Sequence, residues 1–125
     1  MLGVLAAGCG DDNGSSPATT EAEGGHAIGP DSAVTAGLTA SIATAKELAG
    51  QAATGKVPES GFERLHSQWE AYEGTVKQNE VDIYLSLEDD LNAIQKATTS
   101  GDAAGSQKAV TDFETHAKQY LAKHP

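Results

Sequence analysis

Phe62, Leu65, Trp69, Tyr72 and Val76 recur at intervals of three and four residues. On a helix of 3.6 residues per turn that spacing puts all five on one face. A face this apolar has to be covered, and in this chain only other helices are available to cover it. Val34, Leu38, Ile42, Ala45, Ala49 and Ala52 repeat the period upstream. Tyr84, Leu87, Leu91 and Ile94 repeat it downstream, and Val110, Phe113, Ala117, Tyr120 and Leu121 do so near the end. No run alternates apolar and polar residues with β-branched enrichment, and no hairpin dipeptide separates two such runs. There is no internal repeat of 20–50 residues.

The punctuation between the stripes fixes helix boundaries. Pro30-Asp31-Ser32 opens the first helix, with Asp31 or Ser32 as its expected cap, and Gly55 is its expected stop. Pro58-Glu59-Ser60 opens a second helix that runs through Val76, weakened by Gly74. Asn79-Glu80-Val81-Asp82 is close to a capping box for the third. Ser100-Gly101-Asp102 supplies a stop glycine and the cap of the fourth. Lys118, Lys123 and His124 suit the negative end of that last helix dipole. The links, near 54–59, 77–80 and 100–103, are short, and short links make consecutive helices antiparallel neighbours. The expected fold is all-α: an up-down-up-down four-helix bundle over residues 30–125.

The N-terminus has a different character. Cys9 is the single cysteine, preceded by Leu5-Ala6-Ala7-Gly8 and followed by Gly10-Asp11-Asp12-Asn13-Gly14-Ser15-Ser16. This arrangement resembles the lipobox of bacterial lipoproteins, in which a signal peptidase cuts before the cysteine and the thiol is diacylated. Small side chains let the backbone enter the peptidase, and the thiol forms the thioether to lipid. The resemblance implies that residues 1–8 are the end of a signal peptide and that Cys9 carries the lipid. A complete leader has a basic segment and roughly 7–15 apolar residues. Residues 1–8 contain no Lys or Arg, so the remainder of the leader is expected upstream. The plain alternative is an apolar N-terminus with a stray cysteine. A lone cysteine forms no internal disulfide, and no stretch approaches the roughly 18–20 apolar residues of a spanning helix. Two acyl chains anchor a protein stably where one does not.

Residues 9–29 are mostly Gly, Ser, Asp, Asn, Thr and Glu, with few large apolar side chains. Such a composition buries too little surface to offset ordering entropy. A flexible tether is expected, spanning roughly 25 Å r.m.s.. The formal net charge is -10 and the isoelectric point about 4.6, which disfavours nucleic acid and anionic head groups as partners and favours cations or basic proteins.

One polar pattern stands out. His66, Glu70 and Glu73 lie at i, i+4 and i+7, a stripe beside the Phe62–Trp69–Val76 face. If 77–80 is a tight turn, Glu70 comes level with Glu88 and Glu73 with Tyr84. His66, Glu70, Glu73 and Glu88 would then meet in one groove between helices, which is how bundles build cation sites. The plainer reading is a solvated acidic face with i,i+4 contacts worth a few tenths of a kcal/mol. Trp69 and Tyr72 read as core aromatics, and His116 and the Glu88-Asp89-Asp90 run as solvent-facing. No nucleophile–base set or glycine-rich phosphate loop is present, so no catalytic residue is expected.

Trp69-Glu70-Ala71-Tyr72-Glu73-Gly74-Thr75-Val76-Lys77, followed by Asp82-Ile83-Tyr84, Leu87-Glu88-Asp89 and the Gly101-Asp102 break, is similar to the extracytoplasmic helical domains of bacterial iron uptake. These are the imelysin-like iron-uptake lipoproteins and the helical domain preceding some high-affinity iron permeases. The resemblance spans about residues 60–122. It departs from imelysin at His66, where the next Glu is four residues along rather than three, and the permease membrane helices are absent. It implies a helical bundle in an iron-associated setting, with an envelope or iron-transport protein as partner. The expectation is a lipid-anchored, extracytoplasmic binding protein for iron or another divalent cation. The alternative is an interaction lipoprotein of the envelope with no metal site.

Overall fold

The computed structural model describes residues 29–125. Cys9, the expected end of a signal peptide over residues 1–8 and most of the expected tether lie outside the described residues. Among the described residues five helices follow one another: α1 (Asp31–Ala52), α2 (Glu59–Glu70), α3 (Glu73–Asn79), α4 (Val81–Ser100) and α5 (Ala103–Lys123). Among the described residues there is no strand. α1 packs against α2 and α5, α4 packs against α3 and α5, and α1 also meets α4 across the core. The architecture is the expected all-α bundle, with α2 and α3 together forming its second limb.

The apolar stripes supply the core. Leu38, Leu48, Leu65, Trp69, Leu87, Leu91, Ile94 and Phe113 are shut off from solvent. Full burial of a side chain of this size stabilises by about 1.5–3 kcal/mol. The bundle has two distinct ends. At one, the Val57 N–H donates to the Thr98 carbonyl at 2.9 Å, joining the α1–α2 link to the end of α4. At the other, Asn79 Nδ2 donates to Tyr120 Oη at 2.8 Å and to Asp31 Oδ1 at 3.3 Å, tying α3, α5 and α1. Glu80 completes that end, accepting from Lys123 Nζ at 3.4 Å and meeting His124 Nε2 at 2.9 Å. The His124 contact, more than the lysine, holds the Glu80 carboxyl below its ordinary pKa.

The second limb is not the single helix its periodicity predicts. The chain leaves helical geometry at Tyr72 (φ −135°, ψ −1°) and restarts at Glu73. Ahead of the break the turn tightens, with Tyr72 N–H bonding to the Trp69 carbonyl at 3.1 Å. The tyrosine side chain explains the site of the break. Its hydroxyl is 2.8 Å from Ser41 Oγ on α1, and its ring lies against Gly37, where the missing Cβ leaves room. Tertiary contact wins over helix continuation, and the apolar period persists because Val76 still reaches the core.

The caps divide. Asp102 caps α5, its Oδ1 accepting from the Gly105 N–H at 2.9 Å. Gly101 takes the left-handed conformation (φ 75°) that ends α4. Asp31 and Ser32 do not cap α1; Pro30 holds the cap position and offers only its carbonyl, to the Ala33 N–H. The capping box before α4 does not form, since Asn79 spends its side chain on Asp31 and Tyr120 and Glu80 takes the cap position without a side-chain cap bond.

Candidate functional site

The seam between the second limb and α4 holds most of the polar residues singled out from sequence. Tyr84 lies in the first turn of α4. Its ring stacks on Trp69, with centroids 5.8 Å apart and planes 21° off parallel, and Trp69 meets Tyr72 edge-on at 5.4 Å. Lys77 Nζ stands 5.5 Å from the Tyr84 centroid, a favourable place for a cation. These contacts fix the ring, and so the hydroxyl.

Glu88, one turn on along α4, and Glu73, at the start of α3, are acidic neighbours of the Tyr84 phenol. Burial first, and these two negative neighbours after it, push the phenol pKa well above its ordinary value. Glu73 is itself only 7% exposed. Two carboxylates and a phenol are hard oxygen donors, the kind that suit hard cations.

His66, Glu70, Glu73 and Glu88 do not form one ligand set. Among the described residues, no three or more His, Cys, Asp and Glu side chains are grouped to hold a metal ion. His66 and Glu70 stay half-exposed on α2, with Nδ1 and Oε2 3.7 Å apart. The break at Tyr72 accounts for the separation. A continuous helix would keep Glu73 on the His66–Glu70 stripe, and the restart turns it into the core instead. The expected level of Glu73 with Tyr84 is what the structure shows. Glu88 joins that pair rather than Glu70.

His66 and Glu88 do share a cleft of about 190 Å³ between α2 and α4. Phe62 and Leu91 give it apolar walls, and Glu63 adds a carboxylate that the sequence reading did not single out. Glu88 thus lines the His66 cleft and, with Glu73, is an acidic neighbour of Tyr84.

Tyr84 was legible only as a stripe residue. Its i,i+4 relation to Glu88 was the available signal, since such neighbours share a helix face. A second polar contact was missed outright. His116 Nδ1 and Asp90 Oδ2 lie 2.6 Å apart between α5 and α4, and Asp90 is only 7% exposed. Desolvation raises the Asp90 pKa, an effect the His116 hydrogen bond partly offsets. Neither residue is the solvent-facing group expected of it.

Compared with family models, curated proteins and solved structures, the chain matches none.

Proposed function

We propose that this chain is a lipid-anchored, extracytoplasmic binding protein, held to the membrane through Cys9, whose helical bundle takes up iron or another hard cation along the α2/α3–α4 seam. The observation that carries the reading is the placement of Glu73, on α3, and Glu88, on α4, as acidic neighbours of the Tyr84 phenol in one seam. Two carboxylates near one phenol are like charges that a cation between them would offset. The excess of acids over bases in the sequence, 18 against 8, adds a field of the same sign. His66 and Glu63 in the adjoining cleft are the groups a cation would meet on the way in. Its oxygen donors are too few to enclose an ion, which suits transient holding and release to an envelope or iron-transport partner rather than permanent retention.

The test is thermal. Binding to the native state raises the melting temperature, by RT ln(1 + [L]/Kd) in free energy. The full chain melted with excess ferric citrate, and separately with excess manganese(II), is expected to melt several degrees higher, and the Glu73→Gln/Glu88→Gln double variant is expected to lose that rise. Equal melting with and without both ions rejects the cation reading. A rise that the double variant retains places the ion elsewhere.

A further inference from the structure

A single residue joins the two helices that carry Glu73 and Tyr84. α3 ends at Asn79 and α4 begins at Val81, with Glu80 alone between them in a non-helical conformation (φ −145°, ψ 83°). Its backbone bonds into both helices. The Glu80 N–H donates to the Val76 carbonyl at 2.8 Å, and the Glu80 carbonyl accepts from the Tyr84 N–H at 2.9 Å. Glu73 precedes this joint on α3, and Tyr84 and Glu88 follow it on α4. The angle taken at Glu80 therefore sets how Glu73 stands against the other two.

The Glu80 side chain leaves the joint and reaches α5. It meets His124 Nε2 at 2.9 Å and Lys123 Nζ at 3.4 Å. The His124 ring is itself braced, stacked on Tyr120 with centroids 4.7 Å apart. The Glu80 and His124 side chains are only 24% and 23% exposed, so water and salt screen their contact in part. The other polar groups at this end are Asp31 on α1, Asn79 on α3, and the Tyr120 hydroxyl, which accepts from Asn79. Among all of these, histidine is the side chain type that ordinarily changes charge between pH 5 and 8. A neutral imidazole keeps one N–H to offer a carboxylate but loses the attraction between opposite charges.

We propose that His124 is a pH-dependent positioning residue for the seam: charged, it holds Glu80 and with it the α3–α4 joint, and neutral, it leaves the joint freer to move. Lys123 and Asn79 still tie the joint to its neighbours when the ring is neutral, so the change is a loosening and not an opening. As a control over cation uptake the device rests on the seam reading proposed above. The hold on the joint does not, and it is measured with no metal added.

The test is amide hydrogen exchange of the full, metal-free chain, followed by NMR at pH 5.5 and pH 8, with each rate divided by its intrinsic value at that pH. Protection of the Glu80 and Tyr84 amides is expected to fall about threefold between the two, the scale of a partly exposed ion pair. The Val57 amide, bonded to the Thr98 carbonyl at the far end of the bundle, is expected to keep its protection. His124→Gln retains a donor without the charge, and should hold Glu80 and Tyr84 at the parent's pH 8 level at both pH values. Glu80→Gln removes the partner charge and should likewise abolish the pH dependence. Unchanged protection at Glu80 and Tyr84 in the parent overturns the inference. So does an equal fall at Val57, or a fall of the same size in His124→Gln. With no cation present, such a failure leaves the cation reading standing, and failure of the cation reading leaves this result standing.

Discussion

The hydroxyl of Tyr72 lies 2.8 Å from Ser41 Oγ, and both groups are buried. This contact joins the break in the second limb to the middle of α1. Removing one partner orphans the other, which costs about 1–3 kcal/mol for a buried polar group. Tyr72→Phe should therefore destabilise the bundle by that amount. Ser41→Ala combined with Tyr72→Phe should cost clearly less than the two single changes added together. Urea unfolding of the four proteins measures the cycle, and strict additivity would show that the pair is not coupled.

The same tyrosine reverses a familiar rule on α1. Alanine normally stabilises a helix interior by about 1 kcal/mol over glycine. Gly50→Ala meets no atom within 4 Å and should gain stability on that scale. A Cβ at Gly37 would overlap Cδ2 and Cε2 of the Tyr72 ring. Gly37→Ala should lose at least ~1–3 kcal/mol, the usual cost of overpacking. In a domain of this size each kcal/mol moves the melting temperature by roughly 4–8 °C, so melting curves should shift in opposite directions.

The contact between His116 and Asp90 predicts an asymmetry. Truncating His116 to alanine strips the partner from a carboxylate with little access to water, and should cost about 1–3 kcal/mol at neutral pH. Asp90→Asn keeps the shape and removes the charge whose desolvation is unfavourable, so it should stay within about 1 kcal/mol of the parent. Because the folded-state pKa of Asp90 is raised, protonation favours the native state. Its unfavourable contribution shrinks as pH falls through the folded value toward the unfolded one, near 3.9. The gap between His116→Ala and the parent should narrow in acid. Chemical denaturation at pH 7 and pH 4.5 checks both statements.

Tyr72, Tyr84 and Tyr120 all have raised pKa values, in each case chiefly through burial. An acid raised in the folded state contributes stability that is complete below its unfolded pKa, near 10 for tyrosine, and is lost as pH climbs above it. The chain should remain folded, with its phenols protonated, past pH 10. Phenolate absorbance near 295 nm should then appear together with loss of helical circular dichroism. Ionisation of all three tyrosines before any unfolding would contradict the burial described for them.

The all-α class and most helix limits followed from the spacing of apolar residues and from Gly101 and Asp102, because burial and local turn chemistry act over a few residues. The height of Glu73 against Tyr84 followed from the short link at 77–80. The break at Tyr72 did not. It depends on Gly37 and Ser41, more than thirty residues away, and periodicity along one helix carries no information about a partner helix. The same ignorance hid the inward turn of Glu73, and with it the separation of Glu73 from His66 and Glu70. Asp90 and His116 were misread for a related reason. A charged residue next to a run of acids looks solvated until a neighbouring helix covers it.

The central claim is that Glu73, Tyr84 and Glu88 together form a cation site. The most direct measurement is the visible spectrum of the full chain during titration with ferric citrate, from pH 6 to 8. A phenolate bound to ferric iron gives a charge-transfer band, and binding that displaces the phenol proton strengthens as pH rises. The account predicts such a band, growing with pH, absent from Tyr84→Phe and diminished in Glu73→Gln and Glu88→Gln. A spectrum that stays flat, or a band that Tyr84→Phe retains, would contradict it.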